Sequence, residues 1–171
     1  DEIQWSEGKN DLDFFAPTLP RRSGEPAPHI LSAGLSHRDF PCLLRALRAI
    51  PHVRCELRAG SAWTPGSASL GGEQLPPNAQ LRPFVGPHAL RECYGAARFL
   101  VVPIRPTTQW SAGCTTVLHA QAMGKAVVAS AVPGLSDFMV DGQTGLLVPP
   151  GDPAALARAI DELWSDPERA A

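Results

Sequence analysis

An α/β fold, with a Rossmann-like parallel sheet and helices on both faces, is predicted by three features of this sequence. Short apolar runs such as Phe99–Ile104 and Ala126–Ser130 read as strands buried on both sides. Amphipathic stretches alternate with them along the chain, as crossover helices between parallel strands do. Small and turn-forming residues punctuate the ends of the runs. Ligands of such folds bind beyond the carboxyl ends of the strands.

Residues 1–27 are polar, Pro-rich and aperiodic apart from Phe14 and Phe15. They read as a connector anchored by those two rings, with the domain itself over 28–171. The first strand is His29–Ala33, ending at Gly34. A helix follows over Pro41–Ile50: Asp39 caps it, Pro41 suits its first turn, and Leu43, Leu44, Leu47 and Ile50 recur at three-and-four spacing. Val53–Leu57 is the second strand, running into Ala59, Gly60 and Ser61. Residues 61–80 form a long loop of Gly, Ser and Pro, a length that often marks function or mobility. Leu81–Val85 is the third strand, and His88–Ala97 a short helix with Leu90 and Tyr94 on one side. After the strand Phe99–Ile104 comes a polar loop, then a helix over Thr115–Met123 stopped by Gly124. Ala126–Ser130, a helical turn over Leu135–Val140, a tight turn at Asp141 and Gly142, and the strand Gly145–Val148 complete the sheet. Asp152 caps the last helix, Pro153–Trp164.

Composition narrows the function classes. A chain of 171 residues, 44% hydrophobic and 19% charged, suits one soluble domain with a substantial core. A net charge of -2 argues against a nucleic-acid binder that works through a basic surface, and Arg21 and Arg22 read as a solvated loop. No apolar run approaches the ~18 residues of a membrane span. The first residues lack the basic start and apolar stretch of a signal peptide, so the expected location is the cytoplasm. The four cysteines have neither CxxC spacing nor a His partner at metal-ligand spacing; they are expected to be reduced thiols, Cys42 and Cys55 in the core. No metal and no cofactor is expected.

The chemistry concentrates at the strand ends. Gly34, Gly60 with Ser61, Gly86 and the Pro106–Gly113 loop all follow strands and suggest one crevice lined by four loops. Ser111, Ala112 and Gly113 lead into a helix that begins near Cys114, Thr115 and Thr116. Its free N–H groups and dipole suit a phosphate, and the small residues admit one. An ordinary capped helix start is the alternative. Arg38 either projects into the crevice as a bidentate phosphate ligand or lies at the surface with Asp39 or water. His119 is one helical turn past Thr115 and either touches a ligand or is a buried structural residue. Gly60 and Ser61 either approach the ligand or simply end a strand. Arg105, Thr107, Thr108 and Gln109 are polar candidates to meet it, and Trp110 is a candidate to shield it or to serve as a docking ring. A G-x-G-x-x-G turn after the first strand is absent, which weakens an oxidoreductase reading, and there is no P-loop.

Several stretches in the same order resemble a known family. VLHAQAMGKAVVAS and PGLSDFMVDGQTGLLVPPGDPAALARAI are similar to the C-terminal half of GT-B glycosyltransferases of retaining family 4, also called group 1. Upstream, GKNDLDFFAP resembles the family's interdomain segment, SAGLSHRDFPCLLRAL its first strand and helix, and ECYGAARFLVVPI the helix and strand before the donor loop. The resemblance implies a domain that binds a nucleotide-diphosphate sugar. The acceptor would be held by a separate N-terminal domain in cis, which would also carry any peripheral contact with a membrane. It implies Arg38, Ser111 and His119 as catalytic positions. Gly34, Gly60, Ser61, Gly86, Arg105, Gly113, Cys114, Thr115 and Thr116 would line the donor site. The family often places two Glu where this chain has Ser111 and His119. The first usually contacts the sugar and the second the ribose hydroxyls. It also tends to have two basic residues after the first strand, where this chain has Arg38 beside His37. A non-catalytic binding or scaffolding domain of the same fold is therefore the alternative.

Overall fold

The computed structural model describes residues 13–17, 27–60 and 70–169. In chain order the elements are β1 (Ile30–Ala33), α1 (Phe40–Ala49), β2 (Cys55–Arg58), β3 (Ala79–Leu81), α2 (Pro87–Ala96), β4 (Leu100–Val102), α3 (Cys114–Ala122), β5 (Val127–Ser130), α4 (Pro133–Ser136), β6 (Gly145–Val148) and α5 (Pro153–Ser165). The strands form one sheet in the order β3-β2-β1-β4-β5-β6, and every neighbouring pair is parallel. The predicted Rossmann-like parallel sheet is therefore present.

Alternation along the strands splits the core in two. Ile30, Leu57, Val101 and Val128 meet Leu43, Leu47, Leu156 and Ile160 of α1 and α5 on one face. Leu31, Leu100, Val102 and Val127 meet Tyr94 of α2 and Val117 and Met123 around α3 on the other. Strands buried on both faces need apolar residues at every position, hence their continuous hydrophobic runs. No helix among the described residues is long and apolar enough to cross a membrane.

The expected caps form. The Asp39 carboxylate accepts from the Cys42 N–H, and Asp152 accepts from the N–H groups of Ala154 and Ala155. Most boundaries agree within two residues. The third strand does not: it runs Ala79–Leu81 rather than Leu81–Val85. Asn78 explains the shift. Its side-chain amide donates to the carbonyls of Leu47, Ile50 and Val53, and its own carbonyl accepts from Cys55, so pairing starts immediately after it. The Arg82 N–H still donates to Leu57, but Pro83 has no N–H and ends the ladder. The fourth helix also begins earlier than expected, at Pro133, whose fixed φ suits a first helical position.

The chain crosses from one side of the sheet to the other between β1 and β4. Loops leaving two adjacent parallel strands in opposite directions open a crevice between them. Here those loops are 34–39 and 103–113.

Candidate functional site at the sheet switch point

The two loops are tied together by backbone bonds. The Asp39 N–H donates to Pro103, and the Arg105 N–H donates to His37. His37 has a φ of 55°, the one positive value of a non-glycine among the described residues. That turn folds the next side chain back under the end of β1.

Arg38 is consequently buried, only 5% exposed. Its Nε donates to the Ala33 carbonyl at 3.0 Å, and one Nη donates to the Thr116 hydroxyl at 2.7 Å. Neither sequence expectation, projection into open crevice or a surface pair with Asp39, describes this arrangement. The Asp39 carboxylate is occupied in capping α1. Burial lowers the Arg38 pKa to about 10, only partly offset by Tyr94 and Cys114. The side chain is still a cation at neutral pH, and among the described residues no carboxylate pairs with it. Its other Nη makes no hydrogen bond to a described residue and lies 3.4 Å from where a Cβ on Gly113 would sit.

Gly113 enters α3 at a φ of 87°, and a Cβ there would press on Val102 at 3.0 Å. Only glycine meets both demands. Gly34 is equally constrained, because an added Cβ would lie 2.8 Å from the Arg38 guanidinium. The guanidinium is thus held between two glycines at the carboxyl ends of β1 and β4.

The start of α3 has no side-chain cap. The Cys114 N–H donates to Ser111 and that of Val117 to Gly113, while the N–H groups of Thr115 and Thr116 have no acceptor among the described residues. Two free donors and a buried cation therefore adjoin at one helix N-terminus, an arrangement that attracts an anion.

The side chains of this turn divide. Ser111 and Thr115 are exposed. The Thr116 hydroxyl is engaged internally: it accepts from Arg38. The Cys114 thiol points inward to the Trp110 carbonyl at 3.3 Å, and burial raises its pKa. What these two residues present at the mouth is backbone. Arg105 stands exposed at the rim. Trp110 is fastened to α4, its indole N–H 2.7 Å from Asp137 and its ring edge-on to Phe138.

His119 lies deeper on α3, half-buried, and burial lowers its pKa. Its ring stacks on Phe15 with centroids 3.6 Å apart and meets Tyr94 edge-on at 6.2 Å. Of the other expected residues, Gly86 precedes α2 with open space around it, whereas the space beside Gly60 is filled by Phe84. Ser61 lies outside the described residues. Sequence reasoning placed Tyr94 beside Leu90 on one side of its helix but missed that the ring is buried against His119. No local signal marks that contact, because the two rings stand on different helices.

A concavity of about 780 Å³ lies elsewhere, at the amino ends of β1, β2 and β3, lined by His29, His52, Arg54 and Arg82 among others. It has neither a helix N-terminus nor a buried cation, so the switch point is the better site. No group of His, Cys, Asp and Glu among the described residues is arranged to hold a metal ion.

Comparison with known proteins agrees with the parallel-sheet fold. Residues 28–166 match the family model described as glycosyl transferases group 1. A D-inositol 3-phosphate glycosyltransferase of Catenulispora acidiphila is 44% identical over 159 residues, 91% of this chain and 36% of the relative. The corresponding enzyme of Streptomyces avermitilis is 34% identical over 139 residues, 73% of this chain and 29% of the relative. The sucrose-phosphate synthase structure from Thermosynechococcus elongatus superposes with a TM-score of 0.73 at 28% identity, over 94% of this chain and 43% of that one. The chain spans about a third of the length of these curated relatives. With its parallel sheet and this match over most of its length, the chain belongs to the group 1 glycosyl transferases.

Proposed function

We propose that the chain is the donor-binding half of a retaining glycosyltransferase, taking a nucleoside diphosphate sugar and releasing the diphosphate as leaving group. One observation carries the reading: Arg38 is a buried cation with no carboxylate partner among the described residues, set beside two unpaired N–H groups at the start of α3. A diphosphate supplies the missing negative charge. In transfer, negative charge grows on the phosphate oxygen that leaves the sugar. Fixed donors aimed there stabilise the transition state more than the ground state. The role is electrostatic, and the reading calls for no cofactor.

Ser111, on the exposed approach to α3, is placed to hydrogen-bond a sugar hydroxyl. The half-buried, neutral His119 suits a ribose hydroxyl, which it can meet as donor or acceptor. Neither carries the negative charge that the family's usual Glu would bring. The acceptor half would be an N-terminal domain of the same protein, in line with a chain that spans about a third of its curated relatives. Residues 1–27 would be the link to it. Transfer by the 171-residue chain alone is accordingly not expected.

Calorimetric titration with UDP, GDP, ADP and UDP-glucose tests the reading. One nucleotide should bind in preference, and Arg38→Met should weaken it by about tenfold or more, the worth of a charge-assisted hydrogen bond. Failure of all four ligands to bind would reject the donor-site assignment for this chain and favour a scaffolding domain.

A further inference from the structure

Residues 13–17 are docked on the domain by two adjacent rings. Phe14 meets His88 edge-on at 5.0 Å, and the Arg91 guanidinium lies 5.5 Å over its ring, so it grips the start of α2. Phe15 turns the other way, between α2 and α3, and is 7% exposed. There it stacks on His119, the planes 13° apart, and meets Tyr94 at 6.4 Å. The imidazole is therefore bounded on one face by Phe15 and at its edge by Tyr94. Its nitrogens make no hydrogen bond to a described residue. Tyr94 in turn lies near Arg38 and Thr116, which are hydrogen-bonded to each other. The segment preceding the domain is thus packed close to the buried cation.

We propose that Phe15 is a positioning residue of the donor site: by seating the His119 ring it makes nucleotide affinity depend on the docking of residues 13–17. The inference rests on the donor-site reading above. An imidazole free to rotate loses rotamer entropy when it meets a ligand; one already stacked does not. Linkage then works in both directions, so a bound nucleotide holds residues 13–17 against the domain. Because this segment precedes the domain, the same contact gives the preceding part of the protein a physical handle on donor binding.

The test combines titration of the chain with its best-bound nucleotide and NMR of the His119 ring protons, which a stacked Phe15 shifts upfield. Phe15→Leu should abolish that shift and weaken binding by about fivefold, in the range of an aromatic contact. Phe15→Tyr should restore both. The pair Phe15→Leu with His119→Ala should bind no more weakly than His119→Ala alone, because the one acts through the other. If Phe15→Leu fails to fold, Phe15→Met carries the same expectations. Wild-type affinity in a variant whose ring shift has gone, or additive losses in the double variant, would overturn the proposal while leaving the donor-site reading intact. A wild-type chain that binds no nucleotide overturns both.

Discussion

The two faces of the sheet are built on different terms. The face under α1 and α5 is almost wholly aliphatic: leucines, isoleucines and valines interlock there around the buried hydroxyl of Ser32 on β1. The face under α2 and α3 has an equally apolar body, but a buried cation, Arg38, lies at its edge bonded to Thr116, with Tyr94 nearby. Burying a charge without an ionic partner opposes folding, while burying a leucine favours it. The second face thus gives up stability at the place where the two switch-point loops meet. A group that stays charged despite its burial is most useful where a ligand of opposite charge arrives.

Truncation within the aliphatic face should show the largest effect. Leu47 is fully buried, so Leu47→Ala should cost about 2–5 kcal/mol in denaturant unfolding. Nucleotide affinity of the folded fraction should be unchanged; a parallel loss of affinity would show that the faces are not independent.

Arg38→Met should behave in the opposite way. Burial lowers the Arg38 pKa to about 10 on folding, so the unfolded chain holds the proton more tightly. Stability therefore rises as pH climbs above 10, and at pH 7 the full burial cost, on the order of 3 kcal/mol, is still present. The methionine variant is relieved of that cost but loses two hydrogen bonds. Its unfolding free energy should therefore stay within about 1 kcal/mol of wild type. Nucleotide binding should fall by the tenfold or more given above. A variant that unfolds outright would show Arg38 to be structural.

Thr116→Val removes the hydroxyl that accepts from Arg38 while keeping shape. It should weaken nucleotide binding by about three- to tenfold, and Thr116→Ser should restore it, since a neutral hydrogen bond is worth roughly 1 kcal/mol. Equal affinity in all three proteins would mean that Arg38 is held without this bond. The smallest effect is a pH slope. Burial lowers the His119 pKa, so the unfolded chain takes up its proton first as pH falls through 6.5. Stability should decline across that range in the wild type and decline less in His119→Gln, as read from thermal unfolding at a series of pH values.

How much of this was legible depended on how far apart the partners lie in the chain. Element order, the fully buried strands and both helix caps could be read because each depends on residues within a turn or two of one another. Asp39 with Cys42 and Asp152 with Ala154 are such pairs. The glycine-led entry into α3 at Gly113 was visible for the same reason. The start of β3 was not, because Asn78 sets it by reaching carbonyls 25 to 31 residues away. The inward fold of Arg38 was also hidden.

The sequence by itself determined the alternation of strands and helices, the sites of their caps and the residue types gathered at the strand ends. Those follow from periodicity and from hydrogen bonds that close over a few residues. Only the tertiary structure decided what those residues face. Arg38 and Thr116 are 78 positions apart and meet because β1 and β4 become neighbours at the centre of the sheet. Phe15 and His119 meet because helices α2 and α3 share one face of it. Strand order is a property of the packed sheet as a whole, and no local run of residues encodes it.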